Sequence, residues 1–267
     1  NGEVPVDAVP AVVVAEAGGV ACAVTQASDV PDRRRFVAGP QPISAGGDRV
    51  AWVTSRLDPL VPDLRRVHVF DRGEARAELL ESSRFVEPRI PYLSLDGTRV
   101  AVAAESRSTR ELEVYSVRLS NGAAQRLTPS GDSQERIGPE SISADGGRVL
   151  VISDADDLPF PGPYRLEVHE VASGSVTIVA DPAGGTVTGA NPAGLSPDGE
   201  HVVFVSQVDL TGGNADNNAE LFRFDVDTAT LSQVTDSVTP PGGDPQQDNT
   251  QPRFVDDSTI SFVSRVG

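Results

Sequence analysis

One short phrase recurs four times along this chain at a nearly constant interval. It reads apolar residue, serine, any residue, aspartate or glycine, and glycine, and it occupies residues 43–47, 93–97, 142–146 and 195–199. The serines are Ser44, Ser94, Ser143 and Ser196, which gives spacings of 50, 49 and 53 residues. A period of this length indicates an array of equal supersecondary units, each of which buries its surfaces against its neighbours.

The sequence between two phrases predicts four β-strands in each unit. In the third copy, the Asp145-Gly146 pair is a tight-turn signal between apolar segments. Residues 148–153 follow without polar alternation, which predicts a strand that is covered on both sides. A third strand is expected at 166–171 and a fourth at 176–179. Four antiparallel strands in each of several stacked units predict an all-β fold, the β-propeller.

The two chain ends predict how the propeller closes. Four complete blades are expected at 41–82, 90–130, 138–182 and 191–238. The end of the chain, 251–265, supplies two further strands, and the beginning, 11–27, supplies the two that are missing. Pairing these halves would complete a fifth blade and remove two exposed strand edges. We therefore expect one domain, 1–267, folded as a five-bladed propeller.

The fourth copy also carries a resemblance to a known repeat. Residues 195–199, the strand 201–206, the pair Asp209-Leu210 and the segment 220–222 resemble the PD40 (WD40-like) repeat of the TolB C-terminal propeller family, in its secreted bacterial form. The resemblance implies a propeller, a periplasmic or extracellular location, and binding of another protein. The five expected blades are fewer than the six or more that are common in that family. The aspartate-glycine turn is altered at residues 46–47 and 256–257.

Composition restricts the partners that the chain can bind. The formal net charge is −17, and all 22 basic residues are arginines scattered along the sequence. Such a charge repels phosphate backbones, so we expect no nucleic-acid partner. No apolar run approaches the length of about 18 residues that spans a bilayer, so no transmembrane segment is expected. The chain begins at Asn1 without methionine, which indicates a processed or excised product and is compatible with secretion into the periplasm or cell envelope.

The sharpest candidate for a ligand site is a polar segment between the second and third strands of the fourth unit. Its oxygen-bearing side chains are Asp209, Asn214, Asp216, Asn218 and Glu220. Carboxylate and amide oxygens on a curled loop are ligands that Ca²⁺ prefers. Ala219 stands where an EF-hand loop would have glycine, and a solvated polar hairpin remains the alternative interpretation.

The connection lengths predict where a partner would bind. The long connections, which join second to third strands or one blade to the next, all emerge on one side of a propeller, where binding loops commonly lie. They are residues 58–65, 129–140, 154–164, 180–193, 209–219 and 236–250. No catalytic motif is found, so we expect a protein-interaction scaffold more than an enzyme. The alternative is a glycan-binding or glycoside-hydrolysing propeller with acidic residues near its channel, which would need two opposed carboxylates.

Overall fold

Every regular element of the described chain is a β-strand. A computed structural model describes residues 43–56, 65–74, 76–80, 83–128, 135–137, 140–154, 164–179, 193–239 and 249–265, together with 13–14, 22–23, 34–37 and 243. Among these residues no helix has the length and hydropathy that crossing a bilayer requires. The chain is thus all-β in the part that the structure describes, as the sequence predicts.

The first strands form a short hairpin and one larger sheet. The hairpin pairs Val13–Val14 (β1) with Cys22–Ala23 (β2). The first large sheet has the strand order β3-β4-β5-β6, with the bounds Arg34–Val37, Arg49–Arg56, Arg66–Asp71 and Arg76–Leu80. Its first strand begins before residue 41, where the first blade was expected to start.

The second and third large sheets repeat this antiparallel order. The second comprises Phe85–Val86 (β7), Tyr92–Leu93 (β8), Arg99–Ser106 (β9), Leu112–Arg118 (β10) and Ala123–Arg126 (β11). Both β7 and β8 pair with β9, so together they fill the place of one first strand. The third comprises Glu135–Arg136 (β12), Arg148–Asp154 (β13), Tyr164–Glu170 (β14) and Val176–Val179 (β15).

The fourth large sheet is followed by a second hairpin. The sheet comprises Ala193–Leu195 (β16), His201–Ser206 (β17), Glu220–Asp225 (β18) and Thr230–Gln233 (β19). The hairpin comprises Asn249–Phe254 (β20) and Ile260–Ser264 (β21). In the described strands, β1 pairs with β2 and β20 with β21, and no ladder joins the two hairpins. Most of residues 11–27 lie outside the described part of the chain.

The second strand of each large sheet is apolar on both sides because it contacts two neighbouring sheets. In β9, Val100 and Val102 pack against Ala51 and Val67 of the first sheet. The residue between them, Ala101, packs in the cluster that contains the third sheet's Val149 and Val151. Corresponding clusters join the third sheet to the fourth, and the fourth to Phe254 and Ile260 of the last hairpin. The predicted coverage on both sides is confirmed.

The recurrent phrase forms the turns between first and second strands, and these turns are hydrogen-bonded to one another in series. The bonds run from Ala45 N to Leu95 O (2.7 Å), Asp96 N to Ala144 O (2.9 Å), Ala144 N to Pro197 O (2.6 Å) and Asp198 N to Asp257 Oδ1 (2.9 Å). We call this series the turn ladder, and the end of the sheets where it lies the short-turn side. The opposite end, where residues 207–219 lie, is the long-loop side.

The serine and the aspartate of the phrase have a structural role in the turn, as the third copy shows. Ser143 Oγ donates to Asp145 Oδ1 at 2.7 Å and accepts a bond from Arg148 N at 2.9 Å. The bond from Ser143 is the main reason that the pKa of Asp145 lies below its ordinary value. Arg148 then reaches the next repeat, where its Nη1 donates to Gly199 O at 3.1 Å. The repetition of the phrase is therefore explained by sheet-to-sheet attachment.

Candidate functional site

Of the six long connections that the sequence singles out, residues 209–219 are described in full. This loop joins β17 to β18 on the long-loop side. Asp209 Oδ1 fixes its first turn by accepting bonds from Gly212 N (2.7 Å) and Asn214 N (3.0 Å). Leu210 is buried in the cluster between the third and fourth sheets, so the loop is anchored by packing as well as by hydrogen bonds.

Two asparagines turn their amide groups into the interior of this loop. Asn214 is 1% exposed, and its Nδ2 donates to Gln207 O (3.2 Å) and Asn218 O (2.9 Å). Asn218 is fully buried, and its Nδ2 donates to Ser237 O (2.7 Å) and Ser237 Oγ (3.2 Å). The side-chain oxygens of both residues are buried and accept no hydrogen bond from the described residues.

Glu220 connects this loop to two other segments. Its Oε1 accepts bonds from Ser237 N and Ser237 Oγ, each at 2.6 Å. Its Oε2 accepts bonds from Thr235 Oγ1 and from Asn249 Nδ2. Asn249 Nδ2 also donates to Ala219 O at 3.0 Å. One buried carboxylate thus holds together the start of β18, the segment after β19 and the start of β20.

The predicted ligand set is therefore divided by the structure. Asn214, Asn218 and Glu220 are buried, and the first two are joined by a direct hydrogen bond. Asp209 and Asp216 lie in the same loop with exposed side chains. The carboxylate of Asp216 takes part in no hydrogen bond or ion pair with the described residues, so it is free to contact a ligand.

Glu220 has an equivalent in the second sheet that the sequence analysis did not identify. Glu113 and Thr128 each precede Glu220 and Thr235 by 107 residues, and both threonines accept a bond from the main chain of the third strand. Glu113 is as buried as Glu220, yet its Oε1 lies 3.3 Å from Arg126 Nη1. The equal spacing of these pairs was the signal available in the sequence. In the described residues, these two equivalent positions thus both carry a buried glutamate, and Glu113 alone of the two has a cationic partner.

Glu140 is a carboxylate of altered acidity that lies beside β16, the first strand of the fourth sheet. Burial raises the pKa of Glu140, and the charge of Arg253 opposes this only in part. Arg253 Nε lies 4.0 Å from Glu140 Oε1. A Cβ atom added at Gly194 would lie 3.3 Å from Glu140 Oε2. The carboxylate is therefore close to the backbone of β16 on one side and to Arg253 of β20 on the other. Glu140 thus connects the first-strand regions of three successive sheets.

The three histidines of the chain lie in three different sheets. His169 is buried and donates from Nε2 to Glu167 Oε2 at 2.9 Å. His68 stacks on the buried ring of Trp52 with ring centroids 5.4 Å apart, so Trp52 is a core residue. His201 is close to Asp198 and Glu200, with ligand atoms within 4.8 Å of one another on the short-turn side.

The group around His201 is explained by contacts within the protein. Arg223 Nη2 donates to His201 Nε2 at 2.6 Å, so a fixed positive charge adjoins the ring. Asp198 Oδ1 already accepts a bond from Glu200 N at 2.9 Å within the turn. An arginine at this distance opposes the binding of a second cation. We therefore assign these residues to the turn ladder and not to a metal centre.

Comparison with solved structures identifies the fold. An oligogalacturonate lyase in complex with manganese has a TM-score of 0.61 at 16% identity, over 92% of this chain and 65% of the lyase. A protein assigned as TolB from Agrobacterium tumefaciens has a TM-score of 0.50 at 17% identity, over 92% of this chain and 74% of that protein. A third similar structure is the β-propeller domain of the Trilobed protease from Pyrococcus furiosus, which has an open velcro topology. Its TM-score is 0.51 at 10% identity, over 77% of this chain and 59% of that domain.

These similarities establish a TolB-like β-propeller fold. No protein-family model matches the chain, and no curated protein is significantly similar to it in sequence. The chain spans about two thirds of the length of the lyase and less of the protease propeller domain. At such low identities the similarity concerns the fold alone, and the activities of the compared proteins are not transferred to this chain.

Proposed function

We propose that this chain is a non-catalytic scaffold that binds another protein on its long-loop side, in the periplasm, at the cell envelope or outside the cell. The observation that carries the proposal is the Glu220 network. It joins residues 207–219, residues 234–239 and β20 into one preorganised surface. A surface that is already ordered loses little entropy on binding, which favours affinity. The turn ladder, in contrast, uses the polar groups of the short-turn side for attachment between sheets.

The same surface exposes apolar side chains. Val208 is 42% exposed and Val238 is 77% exposed, and both lie on the long-loop side of the fourth sheet. Exposed apolar groups surrounded by polar residues are typical of protein-binding surfaces. The net charge of −17 favours a partner with a basic surface, because opposite charge accelerates association.

Capture experiments with matched charge substitutions test the proposal. The wild-type chain, Val208→Arg, Val238→Arg and the short-turn control Ser120→Arg would each be immobilised and exposed to an envelope extract. We expect a captured protein to be retained by wild type and by Ser120→Arg and lost from both valine variants. Retention by the valine variants, with loss from Ser120→Arg, would assign binding to the other side.

We also propose that the propeller has five blades and closes when the two hairpins pair. Each hairpin has two strands, so their sum equals the four strands of a complete sheet. In the proposed blade the strand order is β20-β21-β1-β2, so β1 is the strand that would pair with β21. In a Cys22→Ser background, a cysteine at Val13 of β1 combined in turn with one at Phe262, Val263 or Ser264 of β21 should give an intrachain disulfide in at least one case, because a disulfide needs Cα atoms within about 7 Å. A cysteine at Val176 of the third sheet is the control, and absence of any β21 crosslink would contradict closure.

A glycan-directed function is the second candidate, and Glu140 is the observation that favours it. Burial raises the pKa of this carboxyl group, which is the property expected of a general acid. Its charged neighbour is Arg253, whereas glycoside hydrolysis would need a second carboxylate. Assays with chromogenic glycosides and a glycan array, repeated with Glu140→Gln, discriminate the two candidates. If the wild-type chain neither hydrolyses the glycosides nor binds a glycan on the array, the glycan-directed function is eliminated.

A further inference from the structure

We infer that the loop 207–219 binds a divalent cation of the Ca²⁺ type through the side-chain oxygens of Asn214 and Asn218, with carboxylate oxygens of Asp209 and Asp216. This inference is independent of the partner-binding proposal. It rests on the orientation of two buried amides, on their unpaired oxygens and on the charge that surrounds them.

The orientation of both amides is fixed by the carbonyl groups that they face. Asn214 Nδ2 donates to two main-chain oxygens, those of Gln207 and Asn218. Asn218 Nδ2 donates to the main-chain oxygen of Ser237 and to its hydroxyl. Rotating either amide by half a turn would place its oxygen against a carbonyl oxygen, where neither atom can donate. The two Oδ1 atoms must therefore point away from these partners.

Both Oδ1 atoms are buried and lack a donor among the described residues. Buried polar side-chain atoms in folded proteins nearly always have a partner, so two unpaired acceptors four residues apart require a cause. Asn214 and Asn218 are at most 1% exposed, so bulk water does not reach them. A cation satisfies acceptors of this kind because it contributes positive charge and needs no acceptor in return.

The charge around the loop favours a cation. Glu220 is buried beside Asn218, and the two side chains share Ser237 as a partner. Its bonds come from neutral donors, and no ion pair with Glu220 exists among the described residues. The equivalent Glu113 has Arg126 at 3.3 Å. A buried carboxylate is costly unless opposite charge compensates it, and a nearby bound cation would supply that charge in the fourth sheet.

Two exposed carboxylates are suitably placed in sequence to complete the ligand set. Asp209 uses Oδ1 to fix the loop, and its other oxygen accepts no bond from the described residues. Asp216 lies between the two asparagines, and its carboxylate is uncommitted. Ca²⁺ takes six to eight oxygen ligands and tolerates irregular geometry, so amide, carboxylate and water oxygens together suit it.

Calorimetric titration of the full chain with CaCl₂, at physiological KCl and excess Mg²⁺, tests the inference. These conditions suppress diffuse binding of Ca²⁺ to an acidic surface. We expect one Ca²⁺ per chain, and a higher Tm in Ca²⁺ than in chelator, because a ligand bound by the folded state alone stabilises it. Asp216→Asn should weaken Ca²⁺ binding by at least about tenfold, since it removes a charged ligand. Glu74→Gln, an exposed acid in a distant turn, should leave the affinity unchanged.

Two results would overturn the inference. Absence of both binding heat and a Tm difference would mean that water molecules satisfy the two oxygens. Binding that is equally strong in wild type, Asp216→Asn and Asn214→Ala would place the ion elsewhere on the surface. Asp216 has no hydrogen-bond partner in the described structure, so its variant should fold even if Asn214→Ala does not, and the test remains decisive.

Discussion

The turn ladder predicts that two similar glycine substitutions have unequal effects on stability. Gly146 and Gly174 both occupy hairpin turns of the third sheet, and both have the left-handed backbone that favours glycine, with φ of 68° and 73°. They differ in what an added methyl group would contact. At Gly146 the new Cβ would lie 2.8 Å from Cβ and Cδ of Arg99 in the second sheet, whereas at Gly174 no atom lies within 4 Å.

The expected magnitudes follow from these contacts. A left-handed backbone costs a residue with a side chain about 1–2 kcal/mol, and this cost applies to both sites. Forcing a methyl group into a packed contact adds about 1–3 kcal/mol, and this cost applies only at Gly146. Gly146→Ala should therefore lower the free energy of unfolding by about 2–5 kcal/mol, and Gly174→Ala by about 1–2 kcal/mol.

Urea and thermal unfolding of both variants measure the difference. Trp52 is the one tryptophan of the chain and is 1% exposed, so its fluorescence reports loss of the core, and circular dichroism reports loss of the sheets. Each 1 kcal/mol should lower Tm by about 2–4 °C in a chain of this size. Equal losses for the two variants would refute the claim that the repeated turns fasten one sheet to the next.

Three further predictions concern buried ionisable groups. Glu220→Gln should lower the free energy of unfolding by about 2–4 kcal/mol, because the new NH₂ group faces donors; unchanged denaturant midpoints would contradict this. Burial alone would raise the pKa of Glu167, but His169 and Arg165 together outweigh it through hydrogen bonds and charge, and the pKa lies below the ordinary 4.5. The stability from Glu167 is thus present above that value and lost as the pH falls, so Glu167→Gln should flatten the acid side of a stability-versus-pH profile. Burial and the bond to Glu113 raise the pKa of Tyr115 to about 12, above its ordinary 10.0. The contribution of Tyr115 to folding stability is therefore present below pH 10 and lost as the pH rises toward 12. Tyr115→Phe should remove the tyrosine ionisation of highest pKa from an ultraviolet titration.

The repetitive part of the fold was predictable because its signals are local. The aspartate-glycine pairs at 145–146 and 198–199 lie within five residues of the strands that they orient. The apolar run of β9 has no polar alternation because sheets pack against both of its sides, and this rule can be applied without coordinates. The resemblance to the PD40 repeat pointed to the same architecture, and the similarity to solved TolB and β-propeller structures supports that fold.

The first strands of the sheets were harder to predict. The third blade was expected to begin at residue 138, but the third sheet begins with Glu135–Arg136, and an isolated bridge joins Ile142 to Val149 just before the turn. The first sheet likewise begins with Arg34–Val37. These strands are short and carry arginines, so they lack the apolar pattern by which strands are recognised.

The side-chain contacts of the loop 207–219 were also only partly predictable from the sequence. Asn214, Asn218 and Glu220 were identified from their spacing, and the structure buries all three. Their partners Ser237 and Asn249 lie 17 and 29 residues beyond Glu220, and no local signal connects them. The burial that makes the amide oxygens informative arises from tertiary packing, which a sequence pattern does not encode.

The turn ladder also determines where this propeller tolerates change in length. An extra residue between Ser143 and Arg148 would shift the carbonyl and amide groups that meet the neighbouring turns, and the mismatch would pass to two sheets. The turn ladder does not set the register of the opposite side, and we expect insertions to be tolerated there in long connections that the Glu220 network does not hold. Peptides grafted for display or labelling therefore belong in the long connections, whereas the chain can be lengthened on the ladder side only by adding a complete repeat.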